Sequence, residues 1–417
     1  MIRIDEADLV EFQGRRSQSG WEHGCAATCS RIRVDRPGSF VVVSPAFVVP
    51  PGFHPIRWVP PDKIRDDERA MATARDDDER DSRFMRRALA VAATARTVSP
   101  PNPWVGCVIV TDDDRVFEGA TEAPGRRHAE IVALDNARVA GADVRGATAY
   151  TTLEPCSHTG RTGPCTDALI EAGIARVVSA IADPDPLVAG RGIAQLEAAG
   201  VEVTVGCLAD RASDQLDAYL HHRRTGRPFV VLKTASTLDG RTAAADGSSQ
   251  WITGEEARIE AHRLRAESGA IVVGAGTVRA DDPSLTTRLV EGPSPRRIVL
   301  GEAPENARVR PCEEWTGPLE GLLDRLGSQG VLQVLVEGGA HVAGSFHRAG
   351  LVDRYVMYFA PALMGGARAR PVFAGLDGRS MDDMWRGKVS RVRQLGDDIE
   401  IVIEPSPSSR LRTEETL

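Results

Sequence analysis

The run GRRHAEIVALDNARVAGADVRGATAYTTLEPCSHTGRTGPC, residues 125–165, changes period twice. HAEIVALDNARVA spaces its apolar residues three and four apart, as one face of a helix does. ATAYTTLE reads as a strand, and CTDALIEAG, which begins at the last residue of the run, returns to helix. The alternation continues outward in both directions. RFMRRALAVAATA from Phe84 is helical, and WVGCVIV is a buried strand. IARVVSAIA and VEVTVG are further strands, with the helix GIAQLEAAG between them. The pattern predicts an α/β unit over residues 81–222, in three layers, with helices on both faces of a mostly apolar sheet.

DRASDQLDAYLHHRRTGRP reads as a helix and then a linker, with His221 and His222 at a solvated basic helix end. A second α/β region is expected over 228–405. Its strands are PFVVLKTA, GAIVVGAG, RRIVL, VLQVLVEGG, DRYVMYFAP and DIEIVIEP. GEEARIEAHRLRAES and AHVAGSFHRAG are helices. Residues 1–80 are rich in proline and charge runs and are expected to be a poorly ordered or accessory extension. Met71 is an alternative start. His23, Cys25 and Cys29 lack an obvious fourth ligand. Residues 406–417 are expected to fray.

The chain has 417 residues, enough for two or three domains, with 42% hydrophobic and 26% charged residues. A net charge of −8 counts against a nucleic-acid surface. The longest apolar runs are short and broken by proline, which counts against a membrane span. MIRIDEADLVEF lacks the basic start of a signal peptide, so the cytoplasm is the expectation. Seven cysteines are too few and odd in number for a disulfide framework.

Four residues within the opening run form a constellation. His128 and Glu130 stand in H-A-E at a helix start. Twenty-four residues later comes Pro155-Cys156, and eight residues beyond that Cys165. One imidazole and two thiolates suit zinc with water in the fourth position. Glu130 is placed to move that water's proton. Each residue alone has a bland reading: a hydrogen-bonded core histidine, inert cysteines, a solvated first-turn acid. Their joint spacing favours the metal. Cys156 is expected to open a helix or turn, with Pro155 in its first turn. Cys107 and Cys207 read as core residues.

On these residues the chain resembles the zinc-dependent nucleobase and nucleotide deaminases. The eight-residue interval in LEPCSHTGRTGPC narrows the resemblance to the riboflavin-biosynthesis deaminase, in which a reductase follows on the same chain. The resemblance implies a cytidine-deaminase-like domain followed by a dihydrofolate-reductase-like α/β domain, with Zn2+ and NADPH as cofactors. It also implies a small phosphorylated pyrimidine as substrate and a homo-oligomer. Glu130 then shuttles the proton, Asn102 in PPNPWVG positions the pyrimidine, and His158, Arg161 and Thr162 lie near the sugar-phosphate end. One feature departs from the family. Thr121 stands where a substrate-recognising histidine is usual, with Ala120 and Arg127 replacing an aromatic residue and a proline. Arg126 or Arg127 is a candidate phosphate ligand in compensation. A changed deaminase substrate in a specialised pathway is the competing reading, and a catalytically dead scaffold is a third.

In the second region, VLKTASTLDGRTAAADGSSQWITG, GAGTVRADDPSLTTR and VEGGAHVAG are polar loops after strands, placed to converge at one end of a sheet. None is a full G-x-G-x-x-G. The resemblance implies that Lys233 and Asp281 lie near the reacting sugar and handle a proton. Trp251 is implied as a pocket wall, with core packing as its bland role. Arg288 is implied as a phosphate contact and Glu337 as a substrate-side acid. Thr237, Asp239, Gly274, Thr277, Gly338 and Gly339 are implied for the cofactor.

Overall fold

The structure is a computed structural model and describes residues 78–158, 163–185, 188–375 and 378–406. The expectations for Met71, His23, Cys25, Cys29, Arg161, Thr162, the extension as far as residue 77 and the tail from 407 lie outside these residues. Residues 78–80 already belong to the first helix, α1, which spans 78–93.

WVGCVIV is apolar throughout because the strand it forms, β1 (Gly106–Val110), is buried on both faces. It is followed by β2 (Val116–Ala120), α2 (Ala129–Val139), β3 (Thr148–Thr151), α3 (Cys165–Glu171), β4 (Arg176–Ser179), α4 (Arg191–Ala198) and β5 (Glu202–Val205). The sheet order is β2-β1-β3-β4-β5. β1 runs antiparallel to both neighbours, while β3, β4 and β5 are parallel. Gly106 faces Ala120, Cys107 faces Thr151, and Thr151 faces Ser179. The start of β1 and the ends of β2, β3 and β4 therefore share one edge of the sheet. The segments around Asn102, Thr121–His128 and Leu153–Cys156 all emerge there.

Two glycines let helices lie flat on these strands. A Cβ on Gly106 would sit 2.0 Å from the Ala88 carbonyl oxygen of α1, and one on Gly119 would sit 2.1 Å from that of Ala129 in α2. Ala129, Ala133 and Ala137 of α2 are buried at four-residue spacing, the small-residue face that such close approach needs.

α5 (Ala209–Gln215) and α6 (Asp217–Thr225) join this unit to the next. Here the sequence reading needs correction. His222 is buried rather than solvated, its Nε2 3.0 Å from the Gly327 carbonyl oxygen. His221 Nδ1 lies 3.6 Å from Asp353, and Asp217 pairs with Arg354. Leu216, Ala218, Tyr219 and Leu220 share one core with Trp104 and Ile109 on one side and Phe229, Val231 and Ile271 on the other. α6 is packed between the two sheets, so its histidines meet protein, while Arg224 at its end is exposed.

The second region contains β6 (Phe229–Thr237), β7 (Arg241–Ala243), α7 (Glu255–Glu267), β8 (Ala270–Gly274), α8 (Ala275–Asp281), β9 (Arg296–Leu300), β10 (Glu313–Trp315), α9 (Leu319–Ser328), β11 (Gln333–Val336), α10 (Ala340–Arg348), β12 (Arg354–Ala360), β13 (Arg370–Pro371), β14 (Gly387–Leu395) and β15 (Asp398–Pro405). Its eight-stranded sheet runs β10-β9-β8-β11-β6-β12-β15-β14. The strands from β10 to β12 are parallel, and β15 and β14 are antiparallel additions. β2, β7, β10, α9, β13 and β14 are further elements beyond those read from the sequence. β14 lies at an edge with nearly all its residues exposed, so it carries no apolar alternation. The polar segment beginning at Gly274 is helical at its start, as α8, rather than loop throughout. Among the described residues no helix is long and apolar enough to cross a membrane.

Gly119→Ala is expected to push α2 off β2 and destabilise the protein by about 1–3 kcal/mol or more. Urea unfolding followed by circular dichroism checks it.

Candidate metal centre and second cleft

His128 is the N-cap of α2, with extended backbone (φ −78°, ψ 165°). Cys165 is the first residue of α3, behind Pro164 at its N-cap. Cys156 follows β3 in non-helical chain. Cys165, not Cys156, thus opens a helix, because the proline that enters a helix is Pro164 rather than Pro155. His128 Nδ1 lies 3.5 Å from Cys156 Sγ and 3.3 Å from Cys165 Sγ. The three donor atoms all lie within 4.8 Å of one another. Nitrogen–sulfur edges of a tetrahedron around zinc are roughly 3.5 Å. The donor set and its spacing therefore fit that ion.

Two thiols this close do not both ionise easily unless a cation lies between them. Cys156 is drawn down to about 4, first by its hydrogen bond with Cys165 and then by His128. Cys165 is pushed the other way by the same pairing and by burial. Hydrogen bonding to Cys156 raises His128. Glu130 is 4% exposed, and burial followed by the nearby Cys156 charge pushes its carboxyl up to about 6. A carboxyl near that value can both take and give a proton close to neutral pH.

Asn102 is half-buried in a turn, its N–H donating to the Ser99 carbonyl (2.9 Å) at the same sheet edge. His158 is exposed. Thr121 is buried, and its hydroxyl oxygen accepts the Val105 N–H at 3.1 Å. It joins two backbone segments and does not reach outward as an imidazole would. Arg127 is held by Glu122 at 2.6 Å and Asp135 at 2.9 Å, so it is not available as a phosphate ligand. Arg126 has no such carboxylate partner among the described residues. Both arginines line a cleft of about 800 Å³ beside Thr121.

In the second sheet, Val336 pairs with Leu232 and with Val272, which places Glu337 beside Lys233. Lys233 Nζ is 3.9 Å from the Glu337 carboxylate. Arg265 grips that carboxylate with both arms, at 2.7 and 2.8 Å. Glu337 is held down at about 2, because the Arg265 and Lys233 charges outweigh the burial that opposes them. Burial lowers Lys233. His262, buried, accepts the Arg288 backbone N–H at Nδ1 (2.9 Å) and is depressed to about 4, by burial first and then by Arg265 and Arg288. Arg265 and His262 complete a cluster that motif reading missed. Their one signal was a three-residue spacing on α7, shared with many surface helices.

Lys233 faces Glu337, whereas Asp281 accepts the Ser249 hydroxyl at 2.8 Å and does not cap the following turn. Arg288 is exposed and bonds the Thr286 hydroxyl at 3.0 Å. Trp251 is 72% exposed, with the Arg258 guanidinium 4.9 Å from its ring, so core packing is excluded. The Asp239 carboxylate accepts from the Thr237 hydroxyl and from the N–H groups of Met364 and Gly365, tying two loops together. Gly274 and Gly338 are small because Val342 of α10 packs on them: added Cβ atoms would lie 2.8 and 2.4 Å from its side chain. Thr277 Oγ1 accepts the Gly339 N–H at 3.1 Å. The N-cap of α10 is Gly339, which has no side chain to cap the helix itself.

Comparison with known proteins gives relatives of both halves. A family model described as the cytidine and deoxycytidylate deaminase zinc-binding region matches residues 78–181, and one described as the RibD C-terminal domain matches 228–401. The riboflavin biosynthesis protein RibD of Escherichia coli (strain K12) is 40% identical over 363 residues, spanning 76% of this chain and 98% of its own. The structure of Acinetobacter baumannii RibD, form 1, superposes with a TM-score of 0.73 at 38% identity, covering 79% of this chain and 99% of that one. The Thermotoga maritima diaminohydroxyphosphoribosylaminopyrimidine deaminase/5-amino-6-(5-phosphoribosylamino)uracil reductase does so at 0.72 and 34%, with coverage of 79% and 99%.

The ion cluster should make the protein acid-labile in two stages. His262 is held below its ordinary 6.5, so the unfolded chain takes up its proton first and stability falls between pH 6.5 and about 4. Glu337 is held below 4.5, so its contribution is present above that value and is lost as the pH falls toward about 2. Urea midpoints measured from neutral pH down to about 4 should drop in the wild type and flatten in His262→Gln.

Proposed function

The chain belongs to the RibD family of riboflavin-biosynthesis proteins, and from that premise we propose how its own residues divide two reactions. It is a bifunctional enzyme with deaminase and then reductase activity on a phosphorylated pyrimidine intermediate of riboflavin biosynthesis. The observation that carries the first activity is the cluster of His128, Cys156 and Cys165 with buried Glu130 beside it.

His128, Cys156 and Cys165 hold zinc in this reading. When bound, zinc supplies a Lewis acid that activates water for attack on the amine-bearing ring carbon of 2,5-diamino-6-ribosylamino-4(3H)-pyrimidinone 5′-phosphate. Glu130 accepts a proton from the attacking water and delivers it to the departing amine at the same carboxylate. Its burial keeps bulk water from competing for that proton. Asn102 orients the pyrimidine from the neighbouring turn. His158, with Arg161 and Thr162 beyond the described residues, contacts the sugar-phosphate end.

The second site takes the deaminated product. NADPH, when bound, supplies the hydride that reduces the ribosyl group to a ribityl chain. The uncapped start of α10 behind Gly338 and Gly339 supports a diphosphate seat there, with Gly274, Thr277, Thr237 and Asp239 shaping the adjoining loops. Lys233, desolvated and oriented by Glu337, donates the accompanying proton, with Asp281 as its relay. Arg288 meets the substrate phosphate, Glu337 keeps the sugar end polar, and Trp251 forms the outer wall. We place both reactions in the cytoplasm, where thiols stay reduced, and in a homo-oligomer.

Thr121 supports a second reading of the first site alone, with the same enzyme acting on an altered pyrimidine. Its hydroxyl is engaged with Val105, so it does not replace the histidine usual in the family. Ammonia release from the diaminopyrimidine phosphate by the purified chain supports the first reading. A zinc-loaded protein without that release supports the second. NADPH oxidation by the deaminated product tests the reductase separately.

Glu130→Gln is expected to retain about one zinc per chain, to lose roughly 10²–10⁴-fold in deaminase rate, and to keep the reductase rate. Metal analysis and the two assays on one preparation check it.

A further inference from the structure

Behind the metal centre lies a carboxylate that none of the steps above uses. Glu154 is two residues before Cys156 and is 4% exposed. One of its oxygens accepts the N–H groups of Asp183 (3.1 Å) and Gly190 (3.0 Å). The other accepts those of Gly192 (2.9 Å) and Ile193 (3.3 Å). An ionised carboxylate offers about four acceptor sites. All are taken by amides, which replace the hydration that a buried charge loses. Glu154 therefore spends both carboxylate oxygens on backbone amides. Whatever it does for the reaction, it does through the backbone.

That backbone is the Cys156 arm. The Glu154 N–H donates to the Ile181 carbonyl (2.9 Å), so the arm is tied at its root as well. Gly192 packs directly on the next residue, where an added Cβ would sit 2.0 Å from the Pro155 carbonyl oxygen. The Cys156 carbonyl accepts the Thr166 N–H at 3.2 Å, and the Thr166 hydroxyl lies 2.9 Å from Gln195 Oε1 on α4. The far end of the gripped loop is anchored too, because the Asp183 carboxylate accepts the Tyr219 hydroxyl of α6 at 3.0 Å. Cys156 has no helix of its own to fix it, unlike His128 and Cys165. Its position relative to those two depends on this grip.

We propose that Glu154 is a positioning residue of the deaminase, whose carboxylate clamps Asp183 and the first turn of α4, at Gly190, Gly192 and Ile193, onto the Cys156 arm and so sets how tightly the centre holds its metal. The inference rests on the zinc reading of His128, Cys156 and Cys165. Removing a group that orients a metal ligand typically weakens binding by about 10–100-fold.

The test uses the full chain, with zinc affinity read by competition with a chromophoric chelator and ligand geometry read from the absorption of the cobalt(II)-substituted protein. In Glu154→Gln the amide nitrogen cannot accept, so two of the four N–H groups lose their partner. Zinc should bind roughly 10–100-fold more weakly and the cobalt spectrum should change, with reductase turnover retained. Gly192→Ala keeps the Glu154 carboxylate but places a Cβ 2.0 Å from the Pro155 carbonyl oxygen and 3.3 Å from Glu154 Oε1, so it displaces the arm from the other side and should act in the same direction. Wild-type affinity and cobalt spectra in both variants would overturn the proposal. So would loss of reductase turnover in step with zinc, which would make Glu154 a general folding residue. Failure of the wild-type chain to bind zinc would instead remove the metal reading on which the proposal stands.

Discussion

β1 runs against both of its neighbours, and the chemistry of the first half depends on that pairing. Because β1 is antiparallel to β2 and β3, its beginning lies where they end. Asn102 before β1, His128 after β2 and Cys156 after β3 are brought to one edge from segments that together span more than fifty residues of chain. The glycines at 106 and 119 allow α1 and α2 to lie directly on these strands, so the N-terminus of α2 arrives at that edge as well. His128 is there as its N-cap. Its imidazole makes no hydrogen bond back to the first turn of the helix, and its Nδ1 lies 3.5 and 3.3 Å from the two thiols instead.

The second half solves a different problem. Its parallel strands end together, and Lys233 and Glu337 are neighbours by register rather than by sequence. Packing Arg265 and His262 against them sets two cations, Lys233 and Arg265, around one carboxylate, with Arg288 exposed nearby. Such a group is tolerable only if the charges face each other and the histidine stays neutral. The hydrogen bond that His262 Nδ1 accepts from Arg288 requires the unprotonated nitrogen, and the adjacent guanidinium opposes a further charge.

α6 connects the two arrangements. Tyr219 reaches Asp183 on the deaminase side, and His222 and Asp217 reach Gly327 and Arg354 on the other. Its apolar residues belong to a core that draws on both sheets. The two sites are thus built on one packed body, and the metal loop is braced indirectly from the helix that also supports the reductase sheet.

The residues that carry intrinsic chemistry were legible from the sequence. H-A-E, P-C and C at their spacing named a metal set, and alternating helix and strand periods named an α/β chain. Those are local signals: a period shows which face is buried, and a ligand type shows which ion suits it. Contacts made by long-range packing were not legible. Nothing in HHRR showed that His222 would be buried against Gly327, and nothing in QWITG showed that Trp251 would stand exposed beneath Arg258. Glu154 lay in full view in LEPC, yet its contacts needed four amides from Asp183 and the start of α4, 29 to 39 residues further along the chain. Sequence by itself determined which groups are present and the local elements that bear them. Tertiary structure alone decided which of those groups lose water and which partners replace it, because burial and hydrogen bonding depend on segments that only the folded sheet brings together.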